Sequence, residues 1–355
     1  MRCAAARAGL GLVAVAMLAV GCSASPGPAG QRTAGHRGPH VSAKARTTSA
    51  RPILASPRAR RIGVARTYWA GWRSITFTEP AHAGPAGPLP ARRLRTEIWY
   101  PLAAPPSGTT RPARGPFPVI MYAPGFMQCG RPYADLLKYW ATAGYVVVVV
   151  DFPHADCLVG TAATEADLLN EPHDLSYVIT AMLGLSRARH GLLAGLLNSR
   201  KIAIAGQSDG GDVVAAIAGN TCCADHRVVA VAVESGAEWP PMAGAYFTSR
   251  TVPILFSQGS ADTINPPGCS VDMYLADRAP ARYYLDLLGA THTEPYWGID
   301  RYEKIVARVT LAFFDRYVLG RAKQALVMRR EGNASGVAAL HENGGGTLTD
   351  RYCNT

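Results

Sequence analysis

The first 62 residues contain no aspartate or glutamate, and residues 23–62 contain no phenylalanine, tyrosine or tryptophan. A stretch without aromatics, made mostly of Ser, Ala, Pro, Gly, Thr and Arg, cannot bury enough apolar surface to offset its ordering entropy. It reads as a flexible tether, not a domain. Charge is scarce throughout, at 17% Asp, Glu, Lys and Arg, which argues against a long coiled coil. The apolar run at 8–20 falls short of the roughly 20 residues that a spanning helix needs. No Cys-x-x-Cys pair and no His/Cys spacing suggests zinc.

The net charge of +11 points to nucleic acid only until it is located. Ten of the 36 basic residues fall in the first 62 positions, leaving 26 basic against 25 acidic residues, a net of +1, for the rest. The body is nearly neutral, and no nucleic-acid partner is expected. At 48% apolar composition over 355 residues, that body can build a full core.

Arg2 and Arg7 precede the apolar run, which ends at Gly21-Cys22. A charged start, a short apolar stretch and small residues at a cut site describe an export signal. Leu18-Ala19-Val20-Gly21-Cys22 also resembles a bacterial lipobox, which implies lipidation of Cys22 as the first mature residue. The alternative is an ordinary signal cut near Ala24 and a secreted product. The expected organisation is a signal at 1–21, a lipidated Cys and basic tether at 22–62, and one catalytic domain at 63–355. Lipid would hold the chain at a membrane, at about 0.8 kcal/mol per buried CH₂. Six cysteines remain: Cys129, Cys157, Cys222, Cys223, Cys269 and Cys353. An even number in an exported chain favours disulfides, with the pairing open. Adjacent Cys222 and Cys223 are not expected to bond each other, because neighbours rarely give the usual Cα separation.

The body alternates strands with helices. Strands are expected at 92–100, 117–123, 145–152, 201–206, 228–233, 252–257 and 281–288. Helices are expected at 133–143, 165–185, 208–219, 271–276 and 302–319, with an irregular tail over the last twenty or so residues. The run YVVVVVDF at 145–152 is nearly all β-branched, as befits a strand buried on both faces. Such alternation implies an α/β fold with a mostly parallel central sheet covered by helices on both faces.

Gly206-Gln207-Ser208-Asp209-Gly210 follows a strand and opens a helix, the setting of a G-x-S-x-G nucleophile elbow. Ser208 is the expected nucleophile. It needs a base, and the base needs an orienting carboxylate. Beyond Ser208 stand His226, His292 and His341. His226 precedes a strand and His341 lies in the tail, so His292, in the loop after 281–288, is the expected base. Asp262, just past 252–257, is the favoured acid. Glu234, at the end of the preceding strand, is the alternative, and otherwise a solvated or salt-bridged residue. An oxyanion hole needs two N–H donors. Asp209 should supply one and the loop at 124–127 the other, from Phe126 or, second, Met127.

These motifs together resemble the α/β-hydrolase superfamily. The carriers are PVIMYAPG at 118–125, the 145–151 strand, Gly206–Gly210, Asp262 and Gly289-x-x-His292. Within it, about residues 64–320 are similar to the bacterial cutinase and polyester-hydrolase group, with its platelet-activating-factor acetylhydrolase, chlorophyllase and dienelactone-hydrolase relatives. The closest stretch runs from Thr251 through Asp262 to Pro266. Gln207 and Asp209 stand where polyester enzymes usually carry an aromatic or His and a Met. The resemblance implies a serine esterase of lipase or cutinase type that needs no cofactor and no metal. His154 and Asp156 offer two ligands without a third. The connection from Val233 to Val252 is too short for a large lid domain, so an open site is expected, suited to lipid or polymer esters. Trp239 and Trp297 are candidate substrate walls, and a monomer is expected. The competing readings are an inactive surface binding lipoprotein on the same scaffold, and a lactone or amide hydrolase.

Overall fold

A computed structural model describes residues 67–248, 251–298, 300–345, 348 and 353. The expected signal, Cys22 and the tether lie outside these residues. Among the described residues no helix is long and apolar enough to cross a membrane.

The strands in chain order are β1 (Trp69–Glu79), β2 (His82–Gly84), β3 (Gly87–Leu89), β4 (Arg92–Leu102), β5 (Phe117–Ala123), β6 (Val146–Asp151), β7 (Leu197–Gln207), β8 (Val228–Glu234), β9 (Ile254–Gly259), β10 (Arg282–Leu287) and β11 (Ala338–Glu342). The helices are α1 (Ala134–Thr142), α2 (Glu171–Arg187), α3 (Asp209–Gly219), α4 (Pro267–Ala276), α5 (Arg301–Tyr317) and α6 (Gln324–Gly332). Nine strands form one sheet in the order β1-β4-β6-β5-β7-β8-β9-β10-β11, and β2 and β3 form a separate hairpin. The six strands from β6 to β10 run parallel, while β1, β4 and β11 pair antiparallel at the two sides.

Strand β6 shows why this sheet must be covered twice. Val146, Val148 and Val150 enter one core, while Val147 and Val149 enter the other. Alternate side chains of a strand point to opposite faces, and β-branched residues suit that pleat. Leu175 and Val178 of α2, Val213 and Ile217 of α3, and Met273 of α4 fill the first core. Leu136 of α1, Val306 and Phe313 of α5, and Met328 of α6 fill the second. Helix α5 starts at an Asp300 cap, whose side chain accepts from the N–H groups of Tyr302 and Glu303.

Several expectations change. Strand β1, the β2–β3 hairpin and α6 were not foreseen. The helix expected at 165–185 is two elements, a 3₁₀ turn at Glu165–Leu169 and then α2. Thr164 caps the first, and Pro172 stands in the first turn of the second, where its missing N–H costs no bond. The tail is not wholly irregular: β11 pairs with β10 and carries His341 opposite Tyr284. Its AALHE sequence has no β-branched residue, so pairing, not propensity, makes it a strand.

The cysteines pair as Cys129–Cys157, Cys269–Cys353 and Cys222–Cys223. The last corrects the expectation that neighbours would not bond. Asn220 Oδ1 accepts from the Cys222 N–H at 2.9 Å, and this turn after α3 brings both sulfurs together across one peptide.

Candidate active site

Strand β7 ends at Gln207 and α3 begins at Asp209, so Ser208 alone makes the turn. Its φ of 57° and ψ of −127° are rare for a residue with a side chain, and such strain costs about 1–3 kcal/mol. The neighbours hold it there. The Ser208 N–H donates to the Glu234 carbonyl at 2.9 Å, and the Ser208 carbonyl accepts from Asp212 at 3.0 Å. A Cβ on Gly206 would lie 2.1 Å from the Gly210 carbonyl oxygen, and one on Gly210 would lie 2.0 Å from that of Ala123. Only glycine lets these backbones close around the serine.

His292 lies in the loop after β10. Its Nε2 is 2.9 Å from Ser208 Oγ, and its Nδ1 is 2.7 Å from Asp262 Oδ2. With the ring proton on Nδ1, His292 donates to the carboxylate and accepts from the serine hydroxyl. Asp262 follows β9 and is buried. Its Oδ1 accepts from the N–H groups of Ile264 and Asn265 at 2.9 and 3.1 Å, and its Oδ2 accepts from Gln258 Nε2 at 2.7 Å. Ser270 donates to Gln258 Oε1 at 2.5 Å and so fixes that amide. Serine, imidazole and carboxylate form one continuous relay.

Glu234 is elsewhere. It is fully buried, its Oε2 accepts from Tyr122 at 3.0 Å, and its Oε1 has no partner. It is neither solvated nor salt-bridged, which corrects the expectation held for it. Burial pushes its carboxyl up to about 8, opposed only by the Tyr122 hydroxyl.

The 124–127 loop faces the same turn. Ser208 Cβ lies 3.0 Å from where a Cβ on Gly125 would stand. Met127 donates its N–H to the Ala155 carbonyl at 2.7 Å, and Gly125 donates to Tyr133 Oη at 3.1 Å. Met127 is therefore committed, while the Phe126 N–H meets no acceptor among the described residues. Asp209 is mostly buried. Burial pushes its carboxyl up to about 6, repulsion from Glu165 adds to this, and His292 and its own N–H oppose it. The Cys129–Cys157 bridge ties this loop to the one after β6.

Four participants escaped the sequence reading. Gln258 and Asn265 surround Asp262. Gln207 points Nε2 at His292 Nε2, 3.2 Å away, and accepts from Tyr133 at 2.8 Å. Tyr133 thus connects Gly125 to Gln207 and His292. A polar residue at the buried end of β7 or β9 was the available signal. Trp297 stands edge-on to Tyr133, with ring centroids 6.0 Å apart, and Trp239 packs against the core that α2, α3 and α4 share. Neither is free of other packing. Asp156 is buried and accepts from the Leu158 N–H at 2.8 Å, and the His154 carbonyl accepts from Thr164 at 2.9 Å.

No protein-family model matches the chain, and no curated protein matches it.

Proposed function

We propose that this chain is a serine hydrolase of the α/β-hydrolase fold that cleaves carboxylic esters through an acyl-enzyme. The observation that carries the reading is the Ser208–His292–Asp262 relay, with 2.9 and 2.7 Å between successive partners, on the loops after β7, β10 and β9. The sheet order supports the fold: parallel strands flanked by antiparallel β1 and β4, with the nucleophile on the turn after β7.

In this reading Ser208 Oγ attacks the ester carbonyl as its proton passes to His292 Nε2. Asp262 holds Nδ1–H and stabilises the imidazolium. The carbonyl oxygen gains the negative charge and takes the N–H groups of Phe126 and Asp209, displacing the Asp209 carboxylate from its own N–H. Collapse breaks the C–O bond, and His292 returns the proton to the departing alcohol. Water, deprotonated by His292, then attacks the acyl-enzyme and releases the acid and free Ser208.

Access supports a bulky ester. Between β8 and β9 the described residues form no helix and no strand, and the aromatic ring of Phe247 is buried in the core. Met127, Leu158 and Ile264, on loops at the same strand ends, are 42%, 71% and 65% exposed. Exposed apolar side chains beside a nucleophile suit lipid or polymer substrates. The exported, lipid-anchored placement belongs to the same proposal. Labelling of cells with a fatty-acid probe should mark the chain and not its Cys22→Ala variant.

A fluorophosphonate probe tests the chemistry directly. Wild type should label and Ser208→Ala should not. A folded wild type that stays unlabelled would overturn the hydrolase reading in favour of a binding lipoprotein. Ester, lactone and amide panels of graded chain length then assign the bond.

A further inference from the structure

The end of β1, the β2–β3 hairpin and the first turn of α2 bring together Glu79, His82 and His173. One carboxylate oxygen and one nitrogen from each ring lie within 4.8 Å of one another. Glu79 is 2% exposed, and neither of its oxygens makes a hydrogen bond. His173 Nδ1 is 2.8 Å from Glu79 Oε1 without hydrogen-bond alignment, and His82 Nδ1 is 4.0 Å from the same oxygen. The two imidazoles lie side by side, 4.4 Å between centroids and 30° between planes.

A buried carboxylate without donors is costly. The nearest strong cation does not relieve it. Arg92 sits opposite Glu79 across the β1–β4 register, yet its guanidinium is spent on Asp167 and Asp174, with four bonds of 2.6–2.9 Å. Glu79 is left to the two imidazoles beside it.

We propose that Glu79, His82 and His173 bind a divalent transition-metal ion of the zinc type. Two imidazoles and one carboxylate are a borderline donor set that suits zinc better than calcium or magnesium. Tetrahedral zinc with bonds of about 2.0–2.1 Å sets its ligands about 3.3 Å apart. The observed 2.8 and 4.0 Å lie on either side of that separation, and the ion would take His82 Nδ1 from the Pro80 carbonyl, 3.1 Å away, once the ring proton moves to Nε2. His173 is 58% exposed at its side chain, so water can enter as the fourth ligand. The ion would clamp the edge strand β1 and the small hairpin to α2, alongside the bond from Tyr177 to the Thr78 carbonyl. Sequence spacing could not show the site, because His173 lies far from Glu79 and His82 and only the fold joins them.

The test is titration of the whole chain with ZnCl₂ by calorimetry, with CoCl₂ absorption as the spectroscopic check. The expected result is one ion per chain and a zinc-dependent rise in Tm of about 2 °C or more. His173→Ala, at an exposed side chain, should weaken zinc binding by about tenfold or more and abolish the Tm rise. It should leave ester hydrolysis unchanged. Glu79→Gln should repeat the loss of binding wherever it folds. No binding at millimolar zinc, or equal binding by wild type and His173→Ala, would overturn the proposal.

Discussion

The ends of β8 and β9 lie side by side, and each presents a buried acid. Glu234 closes β8 and is 0% exposed; Asp262 follows β9 and is 4% exposed. Depth does not separate them, but their partners do. Asp262 collects three N–H donors and the His292 ring. Glu234 has one phenol and an oxygen with nothing to accept. Burial alone favours the neutral carboxyl, and donors aimed at the oxygens favour the anion. One strand end is equipped to hold a negative charge beside an imidazole, and its neighbour is not.

Substitutions can break this contrast in graded steps. On the proposed reading Ser208→Ala should remove the nucleophile itself, lowering kcat by about 10⁶-fold, as read from ester turnover. Asp262→Asn keeps the shape but reverses the hydrogen-bond demand on Nδ1, and should cost about 10⁴-fold in kcat. Gln258→Ala removes one donor from Asp262 and frees its carboxylate to shift. A misplacement of its carboxylate should cost about 10²-fold, with KM little changed. Glu234→Gln should keep activity within about tenfold, since that side chain does not meet His292. A larger loss there than in Asp262→Asn would reverse the assignment of the two acids.

Glu234→Gln should instead show itself in stability. The folded carboxyl holds its proton up to about 8, whereas the unfolded group releases it near 4.5. Between those values the folded state binds more protons, so stability falls as pH rises, and the contribution is complete only below the lower value. The amide removes this slope. Urea unfolding at pH 5 and pH 9 should therefore give the wild type a loss of a few kcal/mol that the variant lacks in part.

The sequence displayed the parallel centre because β5 to β10 are short apolar or β-branched runs broken by Gly and Pro. It displayed the turn at Ser208 because G-x-S-x-G stands between a strand and a helix, and it singled out His292 because His226 precedes a strand and His341 lies in the tail. It hid β11, whose small residues become a strand only by pairing with β10, whereas the β-branched and aromatic run at Ile75–Thr78 of β1 was a signal left unread. It also hid Gln258 and Gln207, which look like ordinary strand residues until the fold places Asp262 and His292 against them. Glu234 was misread because a charged residue at a strand end usually meets water, whereas here it is buried against the Tyr122 hydroxyl.

The Cys129–Cys157 bridge fastens the loop that carries Phe126, while Ser208, His292 and Asp262 lie on other loops. On the proposed reading, nucleophile and oxyanion donor thus depend on different chemistry. A preparation made under reducing conditions would keep its full titre of reactive serine yet lose the clamp on its charge acceptor. Two batches of one sequence would then agree in active-site count and differ in rate, so the oxidation history of the sample becomes a kinetic variable.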